Sequence, residues 1–199
     1  MPGTLILASG SSARAAMLTA AGVDFEVVPA ALDEAALKAS LAEEGAPARD
    51  VVDMLAEFKA VRISARYPGR LVLGADQVLV LEGRIFDKPR DIDEARNQLA
   101  LLRGRRHELL SAVVICEDGH PVWRQVGTAR LTMRNFSDAF LKNYLVRHGE
   151  ALLGSVGAYR LEQGGVTLFD RIDGDYFTIL GLPLLPVMSY LRVRGILEE

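Results

Sequence analysis

The sequence is poor in cysteine and has no excess of basic residues. Cys116 is the only cysteine among 199 residues, so neither an intrachain disulfide nor a thiolate-rich metal site can form. This favours a reducing compartment, and we expect the protein in the cytoplasm. The net charge of −3 gives no reason to expect DNA, RNA or an anionic membrane as a partner. A small charged ligand is compatible with that charge.

Export signals and long apolar runs are also missing. The amino terminus lacks the basic region and apolar core of a signal peptide. The longest uncharged stretch, residues 176–191, is short for a membrane span and contains Pro183 and Pro186. We therefore expect a soluble protein without a membrane partner.

Strand-like and helix-like patterns alternate along the chain, half of which is apolar. The pattern predicts strands at residues 5–8, 25–28, 71–81, 109–116, 123–133 and 165–169, with the third interrupted at 74–77. It predicts helices at residues 13–18 and 48–67, after Asp91, after Ser137, and at about 184–193. No repeat, low-complexity segment or linker occurs, so we predict a single α/β domain over residues 1–199 with a mixed sheet and flanking helices.

A polar loop before the first predicted helix is a candidate phosphate site. Ser9, Gly10, Ser11 and Ser12 allow backbone amides to approach an anion at the positive end of the helix, and Arg14 adds a guanidinium. The alternative is an ordinary N-cap loop with a solvated arginine. The common P-loop and dinucleotide-binding glycine motifs do not occur.

Asp76 lies within an apolar run and is followed by Gln77. An ionised carboxylate buried there without a partner would cost on the order of several kcal/mol of folding free energy. Another group must therefore compensate its charge. A hard cation such as Mg²⁺ would do so and would activate a water for attack on phosphorus. The alternative is a strand end, where Asp76 caps a turn after Gly74.

Two lysines and a second carboxylate extend this candidate site. Lys59 lies on the apolar stripe of its helix, where it either extends its amine to water or meets an anion. Lys88 precedes Pro89 in a stiffened loop. Glu34 either completes a metal site with Asp76 or belongs to a solvated helix start.

The three histidines are not candidates for this site. His107, His120 and His148 show no metal-ligand spacing, so we expect surface or structural roles for them.

These segments, taken in order, resemble the Maf family of nucleotide pyrophosphatases from Leu5 to about Leu191. The family opening L-x-L-A-S-x-S-P-x-R-x-x-L-L matches residues 5–18, with Ser12 for the usual proline and Ala13 where many relatives carry arginine or a large side chain. Further matches are Asp33-Glu34, Lys59-Ala60, Asp76, Lys88-Pro89, the helix from Ala95 to Gly104, Gly157-Ala158-Tyr159 and Gly181-Leu182-Pro183.

The resemblance implies an elongated, two-lobed Maf/ITPase-like architecture with a mixed twisted sheet and a central cleft, often dimeric. It implies a hydrolase that cuts the α–β phosphoanhydride bond of a nucleoside triphosphate. Ser9, Ser11 and the basic residues would hold the triphosphate, and Asp76 would be the proton acceptor or metal-linked base. Asp76 and Glu34 are the expected metal ligands, for Mg²⁺ with Mn²⁺ as the alternative. Arg14, Lys59 and Lys88 would neutralise phosphate charge in the transition state.

Base preference follows from the resemblance at two positions. Relatives that prefer dTTP and UTP tend to carry threonine after the strand aspartate and glutamine in the segment after the G-A-Y motif. Relatives that resemble 7-methyl-GTP enzymes tend to carry glutamine and glutamate at these two positions. Here Gln77 and Glu162 stand at these positions. A carboxylate accepts from both N1–H and the exocyclic amine of guanine, which favours a methylated guanine nucleotide. Ala13, also expected beside the substrate, fits neither branch well.

Two alternatives remain at this point. One is a dTTP/UTP pyrophosphatase of the same family. The other is a nucleotide-binding regulator of cell division and septum formation that uses the same pocket without turnover. A nucleic-acid-binding module is disfavoured by the acidic balance.

Overall fold

The structure is a computed structural model that describes residues 5–198. The prediction about export signals rests partly on residues 1–4, which lie outside this range. The strands are β1 (Leu5–Leu7), β2 (Phe25–Val27), β3 (Val72–Leu81), β4 (Arg84–Phe86), β5 (Arg106–Glu117), β6 (His120–Met133) and β7 (Phe169–Asp173). The helices are α1 (Ser12–Ala20), α2 (Glu34–Glu43), α3 (Ala48–Ser64), α4 (Ile92–Leu102), α5 (Asp138–His148), α6 (Tyr176–Ile179) and α7 (Leu184–Val193).

The strands form one mixed sheet. Its order is β2-β1-β3-β5-β6-β7, and β4 pairs with β3. β1 is parallel to β2 and β3, whereas the pairs β3–β4 and β6–β7 are antiparallel. The predicted α/β class with a mixed sheet and flanking helices is therefore confirmed. No helix within residues 5–198 is long and apolar enough to cross a membrane.

The chain divides into two compact units. The first unit comprises the chain up to Gln77, Leu110–Gly127 and the chain from Tyr176 onward. The second unit comprises Val78–Leu109 and Thr128–Asp175. The single domain over residues 1–199, the elongated shape and the central cleft stay predictions.

Serine and aspartate side chains cap α1, α4 and α5 where the sequence predicts helix starts. Ser11 accepts from the amide of the third residue beyond it, and so do Asp91 and Ser137, each at the N-cap of its helix. These bonds satisfy amides that have no partner inside a helix. The starts of α1, α4 and α5 are confirmed within one residue of the predicted positions.

Two predicted features are wrong. β3 runs without interruption through residues 74–77, because each weak strand former there has a tertiary contact that compensates it, described below. Residues 165–168 are a 3₁₀ turn, and the strand begins only at Phe169. The amide of Gly165 donates to the Arg160 carbonyl at 2.9 Å, and a Cβ on Gly165 would lie 2.4 Å from that oxygen, so the chain closes tightly here and cannot extend.

The core of the first unit explains how β3 is held. Leu73 and Ala75 belong to a large apolar cluster with residues of α1 and α7, whereas Val72 packs with Ile63 of α3 on the other face. Because side chains alternate along a strand, Gly74 and Asp76 also face α3. Between Val72 and Asp76, one face of β3 is therefore covered by α3 and the other by α1 and α7.

A buried histidine lies in the second unit. His107 is only 1% exposed, and its Nε2 lies 2.8 Å from the hydroxyl of Tyr159. Burial lowers the pKa of His107 to about 4, so the ring is neutral at pH 7. The expected structural role fits this position.

Gly74 permits the close approach of α3 to β3. A Cβ at this position would lie 2.2 Å from the Ala56 carbonyl oxygen and 2.6 Å from the Ala60 amide nitrogen. Both contacts are with backbone, which cannot rotate away. Only glycine fits, and the contact brings Lys59 to the neighbourhood of Asp76.

We predict that Gly74→Ala lowers the free energy of unfolding by about 3 kcal/mol, the upper end of the usual cost of overpacking, because contact with backbone forces the helix away from the strand. Urea denaturation of the variant measures this. Gly10→Ala is the control, since its Cβ would meet nothing nearer than Pro29 at 4.0 Å. Equal stability of the two variants would contradict the proposed close packing.

Candidate active site

Asp76 is a buried carboxylate in the middle of β3. The residue is 6% exposed, and its Oδ1 accepts from the Lys59 ammonium at 2.7 Å. Oδ2 is also buried and has no hydrogen-bond partner among the described residues. The alternative in which Asp76 caps a turn is wrong, because the strand continues to Leu81. One oxygen of the carboxylate is thus fixed, and the other is left for a ligand.

Lys59 supplies the compensating charge. It lies on α3 between Leu55 and Ile63, and is 6% exposed. Its Nζ lies 2.7 Å from Oδ1 of Asp76 and 2.7 Å from Oε1 of Glu34. The alternative in which the amine extends to water is wrong, because the ammonium is buried between two carboxylates. A buried pair of this kind stabilises the charges only while both partners are present.

Glu34 joins this group from the first turn of α2. Asp33 caps the helix by accepting from the Ala36 amide at 3.0 Å, and Glu34 follows as the first helical residue. Its side chain is 44% exposed. Glu34 therefore begins a helix and also shares Lys59 with Asp76, whereas its role as a metal ligand stays a prediction. Oε1 of Glu34 and Oδ1 of Asp76 each lie 2.7 Å from the same nitrogen of Lys59, so these two oxygens are close to each other.

The donor set fits a divalent cation such as Mg²⁺. Two carboxylates approach one point, and one of their buried oxygens has no protein partner among residues 5–198. No cluster of three or more His, Cys, Asp or Glu side chains suited to a metal occurs in that range. Mg²⁺ commonly takes one or two protein carboxylates and completes its shell with water and substrate phosphates.

The serine loop before α1 is organised by its own hydroxyls. Ser9 Oγ accepts from the Ser11 amide at 3.3 Å and from Arg14 Nη1 at 2.9 Å. Ser11 Oγ accepts from the Arg14 amide at 3.4 Å. The N-cap interpretation is confirmed, whereas the phosphate cradle stays a prediction. Ala13 lies half-buried in the first turn of α1, where only its backbone offers a donor.

Arg14 is buried and holds three parts of the first unit together. Its Nε donates to the Gly181 carbonyl at 2.8 Å, and its Nη1 donates to the Ala75 carbonyl at 2.9 Å. The solvated-arginine alternative is wrong, because the residue is 7% exposed. Burial lowers the pKa of the guanidinium, while the charges of Asp76 and Glu34 raise it. Nη2 makes no hydrogen bond to the described residues, so a phosphate contact by Arg14 would use this nitrogen.

Gln77 faces away from α3 and is held by groups that the sequence did not indicate. Its Nε2 lies 2.9 Å from Ser111 Oγ, 3.1 Å from the Thr178 carbonyl and 3.0 Å from the Ile179 carbonyl. Ser111 in turn donates to the Thr178 carbonyl at 2.7 Å. A lone serine in the apolar run of β5 is the signal that could have indicated a buried partner.

Lys88 and Glu162 belong to the second unit. Lys88 is exposed in the segment between β4 and α4. Glu162 is exposed on a 3₁₀ turn, Leu161–Gln163. The negative charge of Glu162 adds to burial in raising the pKa of Tyr144. The structure brings together Ser9, Arg14, Glu34, Lys59 and Asp76 in the first unit, with Gln77 on the opposite face of β3. The contributions of Lys88 and Glu162 stay predictions.

Comparison with known proteins gives a consistent result. Residues 4–194 match the family model described as "Maf-like protein". The chain is 56% identical to a nucleoside triphosphate pyrophosphatase of Caulobacter vibrioides, over 96% of both chains. It is 55% identical to one of Granulibacter bethesdensis, over 94% of this chain and 95% of that one. It is 51% identical to one of a Ruegeria species, over 98% of both chains.

A solved structure is also similar over most of its length. The nucleoside-triphosphatase / dITP/XTP pyrophosphatase of Mycobacterium abscessus aligns with 98% of this chain and 96% of its own. The identity is 16% and the TM-score 0.43, which is too low to support an inference.

We predict that Lys59→Met lowers the free energy of unfolding by about 3–5 kcal/mol, because it leaves Asp76 buried without its cation. Glu34→Gln is the matched comparison and should cost much less, since that carboxylate is partly exposed. Urea denaturation at pH 7 measures both variants. Equal losses would show that Lys59 and Asp76 do not form a buried pair.

Proposed function

The chain belongs to the Maf-like protein family, and from this membership we propose that it hydrolyses nucleoside triphosphates to a nucleoside monophosphate and pyrophosphate. The curated relatives described above are named for this activity. The observation that carries the proposal is the buried Lys59–Asp76 pair, which Glu34 joins from the surface, with an unpartnered Asp76 oxygen. A carboxylate buried in this way is typical of a catalytic site.

The triphosphate is bound by the serine loop and the cations. Ser9 and Ser11 lie at the amino end of α1, where backbone amides and the helix dipole favour an anion. Lys59 and Lys88 neutralise phosphate charge, and Nη2 of Arg14 adds a donor. These residues stabilise the negative charge that develops on the phosphate oxygens as the bond breaks.

Asp76 and Glu34 would hold a divalent cation, which we take to be Mg²⁺, with Mn²⁺ as an alternative. When bound, the ion would neutralise phosphate oxygens and make a bound water more acidic. The half-exposed position of Glu34 leaves its carboxylate accessible from solvent.

Asp76 acts as the proton acceptor. Lys59 fixes Oδ1, so Oδ2 is the oxygen that takes the proton from the attacking water. The water oxygen forms a bond to the α-phosphorus, and the bond from that phosphorus to the bridging oxygen breaks. Pyrophosphate leaves with the electron pair of the broken bond, and the monophosphate keeps the oxygen of the water.

We assign the base preference to Glu162 and Gln77, and 7-methyl-GTP is the substrate that they favour. A carboxylate pairs with the N1–H and the exocyclic amine of guanine, whereas thymine and uracil offer one N–H beside two acceptors. The alternative within the same activity is dTTP or UTP. Removal of modified nucleotides from the nucleotide pool is the role that this specificity suggests.

The remaining proposals concern location and partners. The single cysteine supports a reducing compartment, and we propose the cytoplasm. We expect no nucleic acid or membrane partner, and a homodimer is the expected assembly.

We predict that Asp76→Asn reduces pyrophosphate release by about 10²–10⁴-fold, the typical contribution of a general base. The assay incubates the protein with Mg²⁺ and a panel of common and modified triphosphates in H₂¹⁸O, and separates monophosphate, pyrophosphate and free phosphate. Label in the monophosphate identifies attack at the α-phosphorus. Asp24→Asn, an exposed carboxylate of the first unit, is the control and should retain full activity.

Two outcomes would contradict this assignment. Release of single phosphates would mean that a different bond is broken. Nucleotide binding without any product from the wild type would favour the regulator of cell division over the enzyme.

A second prediction concerns the base. Glu162→Gln should lower the ratio of kcat/KM for 7-methyl-GTP over UTP by about 10–100-fold, because the amide cannot accept two hydrogen bonds from guanine. Glu150→Gln, an exposed glutamate of the second unit, should leave the ratio unchanged. A wild type that prefers UTP or dTTP would reject the base assignment while leaving the hydrolysis proposal intact.

A further inference from the structure

The two neighbours of Asp76 in β3 are both tied to one short segment of the first unit. We call residues 178–181 the anchor segment. The Ala75 carbonyl accepts from Arg14, whose Nε donates to the carbonyl of Gly181. The carboxamide nitrogen of Gln77 lies within hydrogen-bond distance of the carbonyls of Thr178 and Ile179, at 3.1 and 3.0 Å. Asp76 therefore lies between two residues whose positions depend on the anchor segment.

Ser111 completes this arrangement from β5. It is fully buried, and its hydroxyl donates to the Thr178 carbonyl at 2.7 Å. The hydroxyl oxygen of Ser111 also accepts from Nε2 of Gln77 at 2.9 Å. Ser111 thus bonds both to the residue that follows Asp76 and to the anchor segment. Without this hydroxyl, the carboxamide nitrogen of Gln77 loses one of its three acceptors, and the buried Thr178 carbonyl loses a donor.

Gly181 brings the two sets of contacts close together. Its φ is +101°, and a Cβ there would lie 3.3 Å from Nη2 of Arg14 and 3.7 Å from Oε1 of Gln77. The guanidinium and the carboxamide therefore approach the same glycine. This leaves little freedom for the strand segment that carries Asp76.

We propose that Ser111 is a positioning residue for Asp76, acting through Gln77 and the anchor segment. The inference rests on the proposed role of Asp76 as proton acceptor. Ser111 faces away from α3 with Gln77, on the opposite side of the sheet from the carboxylate, and so it acts on the strand and not on the substrate. A small displacement of Asp76 affects proton transfer more than it affects binding of the triphosphate.

The test is a double-mutant cycle of Ser111→Ala and Gln77→Met, read as single-turnover pyrophosphate release with Mg²⁺. We expect each single variant to lower the rate about 10-fold, since a misplaced catalytic group costs up to about 100-fold, and we expect Ser111→Ala to change KM less than about twofold. The double variant should be little slower than either single variant, because both changes break the same connection. Losses that multiply in the double variant, or an unchanged rate in Ser111→Ala, would overturn the proposal.

The matched control is Ser64→Ala. Ser64 is also a fully buried serine of the first unit, and its hydroxyl accepts from the Gly119 amide at 3.0 Å, outside the anchor network. This variant should lose stability and keep its rate, which separates positioning from a general loss of stability. A rate loss equal to that of Ser111→Ala would overturn the proposal.

Ser111→Cys provides a second variant in case the alanine variant does not fold. The thiol is nearly the same size as the hydroxyl and is a weaker hydrogen-bond donor. The rate of Ser111→Cys should therefore lie between the rates of the wild type and Ser111→Ala. If only the cysteine variant folds, its rate should lie below that of the wild type. A wild-type rate would overturn the proposal. An active wild type with insensitive Ser111 variants rejects the positioning role alone, whereas a wild type that releases no pyrophosphate rejects the proposed function and this inference with it.

Discussion

The first unit depends on one buried ion pair, between Lys59 and Asp76. A carboxylate at 6% exposure is tolerated in the sheet only because an ammonium lies 2.7 Å away. The ammonium can reach it only because Gly74 allows the backbone of α3 to touch β3. The ion pair therefore depends on the close packing of α3 against β3, and the chemistry proposed for Asp76 depends on both.

The sequence predicted much of the fold because local patterns decided it. Alternating apolar runs marked most strands, and side-chain caps at Ser11, Asp91 and Ser137 marked helix starts. It was misleading where tertiary contacts overruled local preference. Gly74, Asp76 and Gln77 are weak strand formers, yet β3 passes through them because each has a compensating contact across the sheet. The alternating pattern of residues 165–169 likewise did not indicate the tight turn in which the Gly165 amide donates to the Arg160 carbonyl.

The candidate site was predictable in its residue types and less so in its connections. Asp76 and Lys59 stood out as charges on apolar surfaces, which is a local signal. That they pair with each other, and that Arg14 is largely occupied by protein carbonyls, follows from contacts between residues distant in the chain. The carbonyls of the anchor segment could not be inferred, because backbone acceptors leave no trace in the side-chain sequence.

The long-range bonds of Gln77 also bear on how the protein is made. Thr178 follows Gln77 by 101 positions, so the carbonyl that receives this carboxamide is synthesised long after it. Until then the nascent chain can form the Lys59–Asp76 pair, whose members are 17 positions apart, but not the bonds that brace it from the opposite face. Translation therefore completes the surroundings of Asp76 in two stages, and a chain that ends before residue 178 would carry the carboxylate without the carbonyls that brace the strand from the opposite face.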